Sequence, residues 1–153
     1  MSTTTISPSR ECFACGSDNP AGLHLSFSRA PEGGSRAEYT TRPEHIGWQG
    51  IIHGGIVFTL LDEAVAWALA LEGLRGVTAR ADARFRAPVR VGMDVVVTGR
   101  IVERSRRLVK ARAELRDAGA SQDVLAELDA VMYLADTGGE LAGVMGDDGE
   151  TSR

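Results

Sequence analysis

The chain has 153 residues, of which 43% are hydrophobic and 25% are charged, and its formal net charge at pH 7 is −4. This length and composition predict one globular domain with a sizeable core, and the acidic balance argues against a nucleic-acid-binding protein. The N-terminus has no apolar stretch that would direct secretion, and the longest apolar run is short for a membrane span. We therefore expect a soluble cytoplasmic protein that does not enter the membrane.

Residues 1–22 are polar and rich in turn-forming residues, and we expect them to form an ordered loop after a frayed start. This segment contains both cysteines of the chain, Cys12 and Cys15. A Cys-x-x-Cys pair can be redox-active or supply half of a zinc site, but no second pair occurs and His24 is the nearest imidazole in the sequence. We interpret the cysteines as part of the packing of this loop and predict no metal site.

Alternating apolar and polar residues predict six strands, and one long apolar run predicts a helix. The first two strands are expected at residues 23–28 and 36–41, joined by a turn at residues 31–34. The helix is expected from about residue 54 to residue 72, where glycines follow. Four strands should lie at residues 78–88, 91–102, 108–115 and 124–134. In the first of these, Ala79, Ala81, Ala83 and Phe85 share one face, and the opposite face is basic. Residues 138–153 are expected to be a flexible C-terminal tail.

The predicted helix is apolar on nearly every face, yet it carries Asp62 and Glu63 midway and begins at the turn His53-Gly54-Gly55. A helix of this kind is buried, and burying an unpaired carboxylate costs several kcal/mol. At least one of the two carboxylates is therefore expected to line a pocket, although purely structural roles for both stay open. The helix start offers unpaired backbone N–H groups to a substrate.

One face of an open sheet cannot cover a helix that is apolar all round. Either the sheet curls around the helix or a second copy of the chain covers it, and both happen in the hotdog fold. We therefore expect an α+β hotdog fold over residues 23–137, with a curved antiparallel sheet of about six strands wrapped around one long central helix. Pairing two protomers edge to edge would also remove an exposed strand edge.

Residues 50–64, which contain His53-Gly54-Gly55 followed by Asp62-Glu63, resemble the signature of hotdog acyl-CoA thioesterases of the PaaI (phenylacetate-degradation) type. Residues 76–92 are similar to that family's third strand and turn, and residues 12–23 resemble an N-terminal motif of an uncharacterised branch. The resemblance implies hydrolysis of an acyl-CoA thioester without a cofactor, since coenzyme A is part of the substrate. It also implies a homodimer or a dimer of dimers with sites at the protomer interface.

The resemblance also implies roles for individual residues. The Gly54 backbone N–H would polarise the thioester carbonyl, and Asp62 would act as nucleophile or general base. His53 would support the turn or orient the thioester, and Thr78 would help to position the water or the carboxylate. The predicted substrate-binding residues are Gly55, Gln49, Glu63, Arg84, Arg86 and Arg106.

The arginines allow two interpretations. Arg84 and Arg86 share a strand with Arg80, and Arg106 belongs to a basic cluster near the turn at residues 104–106. They form a solvated, salt-bridged surface, or some of them bind the phosphates of coenzyme A. The sequence does not favour a particular acyl group.

Two other functions stay open. A non-catalytic acyl-CoA-binding protein is possible because Gly47 and Ala66 stand where many relatives have polar residues. An acyl-thioester dehydratase or hydratase would use His45, eight residues before His53, as its catalytic histidine. The acid of such an enzyme would fall near Thr59, which cannot act as an acid.

Overall fold

The structure is a computed structural model that describes residue 6 and residues 8–135. The predicted tail at residues 138–153 therefore lies outside the described residues. The elements in chain order are β1 (Ser28–Arg29), β2 (Ser35–Thr40), a 3-10 turn (Pro43–His45), α1 (Gly54–Ala70), β3 (Gly76–Phe85), β4 (Asp94–Arg104), β5 (Leu108–Asp117) and β6 (Val124–Leu134).

The six strands form one sheet in the order β1-β2-β4-β5-β6-β3, and every neighbouring pair is antiparallel. The single long helix α1 packs against this sheet, so the predicted α+β architecture is confirmed. The helix ends two residues earlier than expected, at Ala70, and Gly73 follows at a φ of 74°, a backbone conformation that suits glycine.

The core lies between α1 and one face of the sheet. Leu60, Leu61 and Leu69 of the helix are completely buried. The helix lies close against the sheet at Gly99, where a Cβ atom would collide with the Ala64 carbonyl oxygen. The buried face of the sheet is supplied by alternating residues of four strands, among them Ala37, Val95, Val97, Val109, Leu115, Leu128 and Met132.

The predicted first strand at residues 23–28 is wrong for most of its length, because ladder pairing begins only at Ser28. Leu23 and Leu25 are buried as their alternation indicated. However, their N–H groups donate to the carbonyl oxygens of Phe13 and Ala14, at 2.9 Å in both cases. This segment therefore pairs with the N-terminal loop instead of with the sheet.

Strand β3 lies at the edge of the sheet, with β6 as its one neighbour among residues 8–135. The pairing register shifts between Thr78 and Arg80, so Ala79 is an extra residue in a bulge. The predicted period of two is therefore interrupted at Ala79, which is exposed, whereas Ala81 and Ala83 are half-buried. Val77 and Phe85, near the two ends of the strand, are also exposed, at 49% and 55%.

Candidate active site

The start of α1 is held by its own preceding residue. His53 is the N-cap, and its Nδ1 accepts a hydrogen bond of 2.8 Å from the Gly55 N–H. The His53 carbonyl oxygen accepts from the N–H groups of Ile56 and Val57, at 2.9 and 3.2 Å. His53 thus supports the turn, one of the two roles predicted for it, and the Gly55 N–H is not free for a substrate.

Gly54 keeps an open donor at this helix end. Its N–H forms no hydrogen bond with another of the described residues, whereas the next three N–H groups are all engaged. A Cβ atom on Gly54 would lie 3.7 Å from the Phe85 ring, which is ordinary contact. An unpaired N–H at the positive end of a helix dipole is suited to an oxygen that gains negative charge.

Asp62 lies half-buried on the helix face that meets β3. The Thr78 hydroxyl donates a hydrogen bond of 2.7 Å to Asp62 Oδ1, and the Met132 sulfur lies 3.5 Å from the same hydroxyl. Thr78 stands directly before the bulge of β3, on the exposed edge of the sheet. The bond fixes one carboxylate oxygen and leaves the other available at that edge.

Gly54 and Asp62 are far apart within one chain. They are eight positions apart on α1, which corresponds to about 12 Å along the helix axis. A thioester carbonyl needs its oxyanion donor and its attacking or base group each within about 3 to 3.5 Å. The two groups of one helix therefore cannot act on the same thioester carbonyl.

Glu63 lies on a different side of the helix and is not brought together with Asp62 and Thr78. The Cys12 thiol contacts Glu63 Oε1 at 3.9 Å, and Cys15 and Trp67 also interact with this carboxyl group. Burial raises the pKa of Glu63, and the neighbouring Asp62 charge adds to this effect. The structure thus places the Glu63 carboxylate against the N-terminal loop, so a substrate-binding role for Glu63 has no support in its contacts.

Arg84 and Arg86 are paired with an acid on the neighbouring strand. Arg86 forms a bidentate salt bridge with Glu127, at 3.1 and 2.8 Å, and Arg84 Nη1 lies 3.7 Å from Glu127 Oε1. These bonds lower the pKa of Glu127 and raise that of Arg86, mainly through the hydrogen bond between the two groups. The arrangement corresponds to the salt-bridged surface, and a role in phosphate binding stays a prediction.

Arg106 lies at the opposite end of the sheet from Arg84. Arg106 lies in the turn that follows β4. In this turn the Arg107 carbonyl oxygen accepts a hydrogen bond from the Leu134 N–H. Leu134 in turn pairs with Gly76, so the turn lies near the start of β3. Arg84 is eight positions further along the strand than Gly76, or about 26 Å away. The predicted basic residues therefore form two separate groups within one chain and cannot bind the same phosphate.

The other sequence-predicted residues lie in the segment before α1 or in the first turns of the helix. Gln49 is exposed in the turn before the helix, and Trp48 is 81% exposed. His45 Nδ1 lies 3.1 Å from the Tyr39 hydroxyl, and the Thr59 hydroxyl donates to the Gly55 carbonyl oxygen at 2.8 Å. The position where a dehydratase would need an acid is thus occupied by a hydroxyl bonded to its own helix.

Comparison with known proteins shows which family this chain resembles. Residues 49–122 match the thioesterase superfamily. Acyl-coenzyme A thioesterase 13 of Homo sapiens is 29% identical over 93 residues, which cover 60% of this chain and 66% of that protein. The same-named protein of Mus musculus is 28% identical over 80 residues, or 51% of this chain and 57% of that protein. The chain thus spans about two thirds or less of these curated relatives.

Solved structures at lower identity show the fold. Thioesterase superfamily member 2 of zebra fish has a TM-score of 0.68 at 22% identity, covering 78% of this chain and 90% of that one. The E. coli PaaI protein from the phenylacetic acid degradation operon has a TM-score of 0.67 at 18% identity, covering 74% and 81%.

A protein of Streptococcus mutans, solved with acetyl-CoA, has a TM-score of 0.66 at 17% identity, covering 72% of this chain and 88% of that one.

No helix among the described residues is long and apolar enough to cross a membrane. The matched stretch contains the His53 turn, Asp62 and Thr78. The chain therefore has the hotdog fold of these structures, and its residues 49–122 are similar to the thioesterase superfamily.

Proposed function

We propose that this protein hydrolyses an acyl-CoA thioester to the free acid and coenzyme A. The observation that carries the proposal is the Asp62 carboxylate, held by the Thr78 hydroxyl at 2.7 Å beside an exposed sheet edge. The thioesterase-superfamily match and the name of acyl-coenzyme A thioesterase 13 support this chemistry. No cofactor takes part, because coenzyme A enters as part of the substrate.

In the proposed reaction, oxygen adds to the thioester carbonyl carbon, the C–S bond breaks, and the sulfur leaves as the thiol of coenzyme A. With Oδ1 of Asp62 bonded to Thr78, Oδ2 has two routes. Either it accepts a proton from the attacking water and passes that proton to the leaving sulfur, or it attacks the carbonyl carbon itself. The second route forms an anhydride on Asp62, which water then hydrolyses to the free acid, and a water proton completes the thiol. The open Gly54 N–H stabilises the negative charge on the carbonyl oxygen, a contribution of typically about 3 kcal/mol to the barrier.

Two solved relatives support coenzyme A as the carrier group. The Streptococcus mutans protein was solved with acetyl-CoA, and a hypothetical thioesterase of Streptococcus pneumoniae was solved with coenzyme A, at a TM-score of 0.66 and 16% identity. In this chain the exposed Arg106 and the exposed, salt-bridged Arg84 and Arg86 are the proposed phosphate contacts. Because Arg106 is far from the other two within one chain, the two groups would serve different sites or different protomers.

The site requires a second copy of the chain. Since Gly54 and Asp62 of one helix are about 12 Å apart, we propose that Gly54 of one protomer and Asp62 of the other act on the same thioester. Thr78 lies near one end of β3 and Phe85, which contacts the Gly54 position, lies at the other end. Antiparallel pairing of two β3 edges would bring these two ends together and cover the exposed Val77 and Phe85.

Thiol release from a panel of acyl-CoAs of different chain length and aromaticity tests this function. We expect hydrolysis by the wild type and a loss of at least about a hundredfold in Asp62→Asn and Asp62→Ala. Asp123→Asn, at an exposed carboxylate before β6, is the matched control and should keep wild-type activity. A wild type that binds acyl-CoA without releasing thiol would instead be a binding protein, and activity retained in Asp62→Asn would exclude the proposed role of Asp62.

A further inference from the structure

A second cluster of reactive groups lies beside the candidate active site and takes no part in the proposed reaction. The thiols of Cys12 and Cys15 and one carboxylate oxygen of Glu63 all lie within 4.8 Å of one another. Cys12 Sγ is 3.9 Å from Glu63 Oε1, and all three residues are half-buried. Among residues 8–135 this is the one grouping of His, Cys, Asp and Glu side chains compact enough to bind a metal ion.

The loop that carries the two cysteines is tightly built around them. The Cys15 N–H points to Cys12 Sγ at 3.5 Å, and the Gly16 N–H donates to the Cys12 carbonyl oxygen at 2.9 Å. A Cβ atom at Gly16 would collide with backbone atoms of Arg10 and Cys12. A bidentate salt bridge between Arg10 and Asp18 closes the loop at 2.8 and 3.0 Å. Both thiols are thus directed at the helix before any ligand arrives.

All three groups of the cluster can become negatively charged. Among the described residues, no Lys or Arg side chain forms a salt bridge with the Glu63 carboxylate. Burial raises the pKa of Cys15, and the Glu63 carboxylate raises it further. The charged neighbour that acts on Glu63 is Asp62, which is also acidic. A divalent cation would offset these charges and stabilise the two thiolates.

We propose that Cys12, Cys15 and Glu63 form a Zn²⁺ site that fastens the N-terminal loop to α1. Two thiolates and a carboxylate are ligands that zinc accepts, and a tetrahedral ion would keep a fourth position for water. Typical zinc–ligand bond lengths place such donor atoms about 3.6 to 3.8 Å apart, close to the 3.9 Å between Cys12 Sγ and Glu63 Oε1. The proposal does not depend on the thioesterase activity, and it revises the sequence-based interpretation of the cysteines as loop packing.

Metal binding by the full-length chain, purified under a reducing agent, tests this site. We expect one Zn²⁺ per chain by elemental analysis and, after exchange for Co²⁺, the absorption of a tetrahedral ion with thiolate ligands. In competition with a coloured chelator, Cys12→Ser and Cys15→Ser should lower zinc affinity by at least about a hundredfold and Glu63→Gln by at least about tenfold. Glu11→Gln, next to Cys12 but exposed and outside the cluster, is the matched control and should bind as the wild type does.

Three results would overturn the proposal. The first is a reduced, folded wild type that retains no Zn²⁺ at micromolar concentrations. The second is zinc or Co²⁺ binding that is unchanged in Cys15→Ser or in Glu63→Gln, because the metal would then lie elsewhere. The third is a Cys12–Cys15 disulfide, found by mass spectrometry, that persists in excess dithiothreitol. The wild-type Co²⁺ spectrum decides the question even if a cysteine variant fails to fold.

Discussion

Asp62 and Glu63 are neighbours in the sequence, and the structure gives them different surroundings. Asp62 faces β3, where its carboxylate has a hydrogen bond from Thr78 at the exposed edge of the sheet. Glu63, about 100° further around the helix, faces the N-terminal loop, where two thiols and Trp67 interact with its carboxyl group.

The difference shows how an apolar helix accommodates two adjacent acids. Each carboxylate finds polar partners on a separate element, so neither is left buried and unpaired. Asp62 has one side-chain bond and an oxygen still available where a second protomer or a substrate can approach. Glu63 is enclosed by the side chains of the loop. The open carboxylate is therefore suited to chemistry and the enclosed one to holding the loop in place.

The largest expected effect concerns the donor that works with Asp62. Gly54→Pro deletes one N–H at the first helical position, where proline is well tolerated, and His53 already has the extended backbone (φ −58°, ψ 135°) that precedes proline. We expect kcat to fall by about 10² to 10³. Gly54→Ala, which keeps the N–H and makes only ordinary contact with Phe85, should lose much less activity in the same thiol-release assay.

The same variant tests whether the Asp62 site is shared. Gly54→Pro and Asp62→Asn are each expected to be nearly inactive alone, but a mixed dimer would contain one site with both groups intact. Co-expression of the two in equal amounts should restore about a quarter of the wild-type rate. The contrary result is a mixture that forms dimers by light scattering but stays as inactive as its components. Gly54 and Asp62 of different protomers would then not act on the same thioester.

An intermediate effect is expected at Thr78. Thr78→Val keeps the shape of the side chain but removes the hydroxyl that donates to Asp62 at 2.7 Å. A hydrogen bond to a charged group is worth about 1.5 to 3 kcal/mol, so we expect kcat to fall by about tenfold to a hundredfold with little change in KM. Thr78→Ser keeps the hydroxyl and should stay near the wild type. Equal rates for the two variants would show that the bond does not position the carboxylate.

Much of this fold follows from local patterns in the sequence. The strand predicted at residues 124–134 is β6 to the residue, and that predicted at 108–115 is β5 without its last two residues. Where the pattern misled, the cause is non-local. Leu23 and Leu25 alternate as in a strand but are covered by the N-terminal loop, and alternation does not identify the covering element. At Ala79 a bulge interrupts the period of two, which no single residue type marks.

The candidate site was also predictable only in part, because some of its contacts are local in the sequence and others are not. The separation of Asp62 from Glu63 follows from the helical repeat alone. That Glu63 meets Cys12, 51 residues earlier in the chain, depends on how the loop packs. The pairing of Arg84 and Arg86 with Glu127 depends on the register of β3 against β6, which their own strand does not reveal.

The smallest expected effect lies on the other side of the helix. Glu63→Gln keeps the size and a polar end at the loop, and the Asp62–Thr78 bond does not involve it. We therefore expect a change in kcat of less than about threefold, whereas Asp62→Asn, the same chemical change one residue earlier, should cost at least about a hundredfold. Assays on protein stripped of metal and on protein supplied with Zn²⁺ keep any loss of zinc separate from a direct effect on the reaction. A large fall in kcat with unchanged thermal stability in both preparations would mean that Glu63 acts on the substrate, and the division of roles between the two carboxylates would be lost.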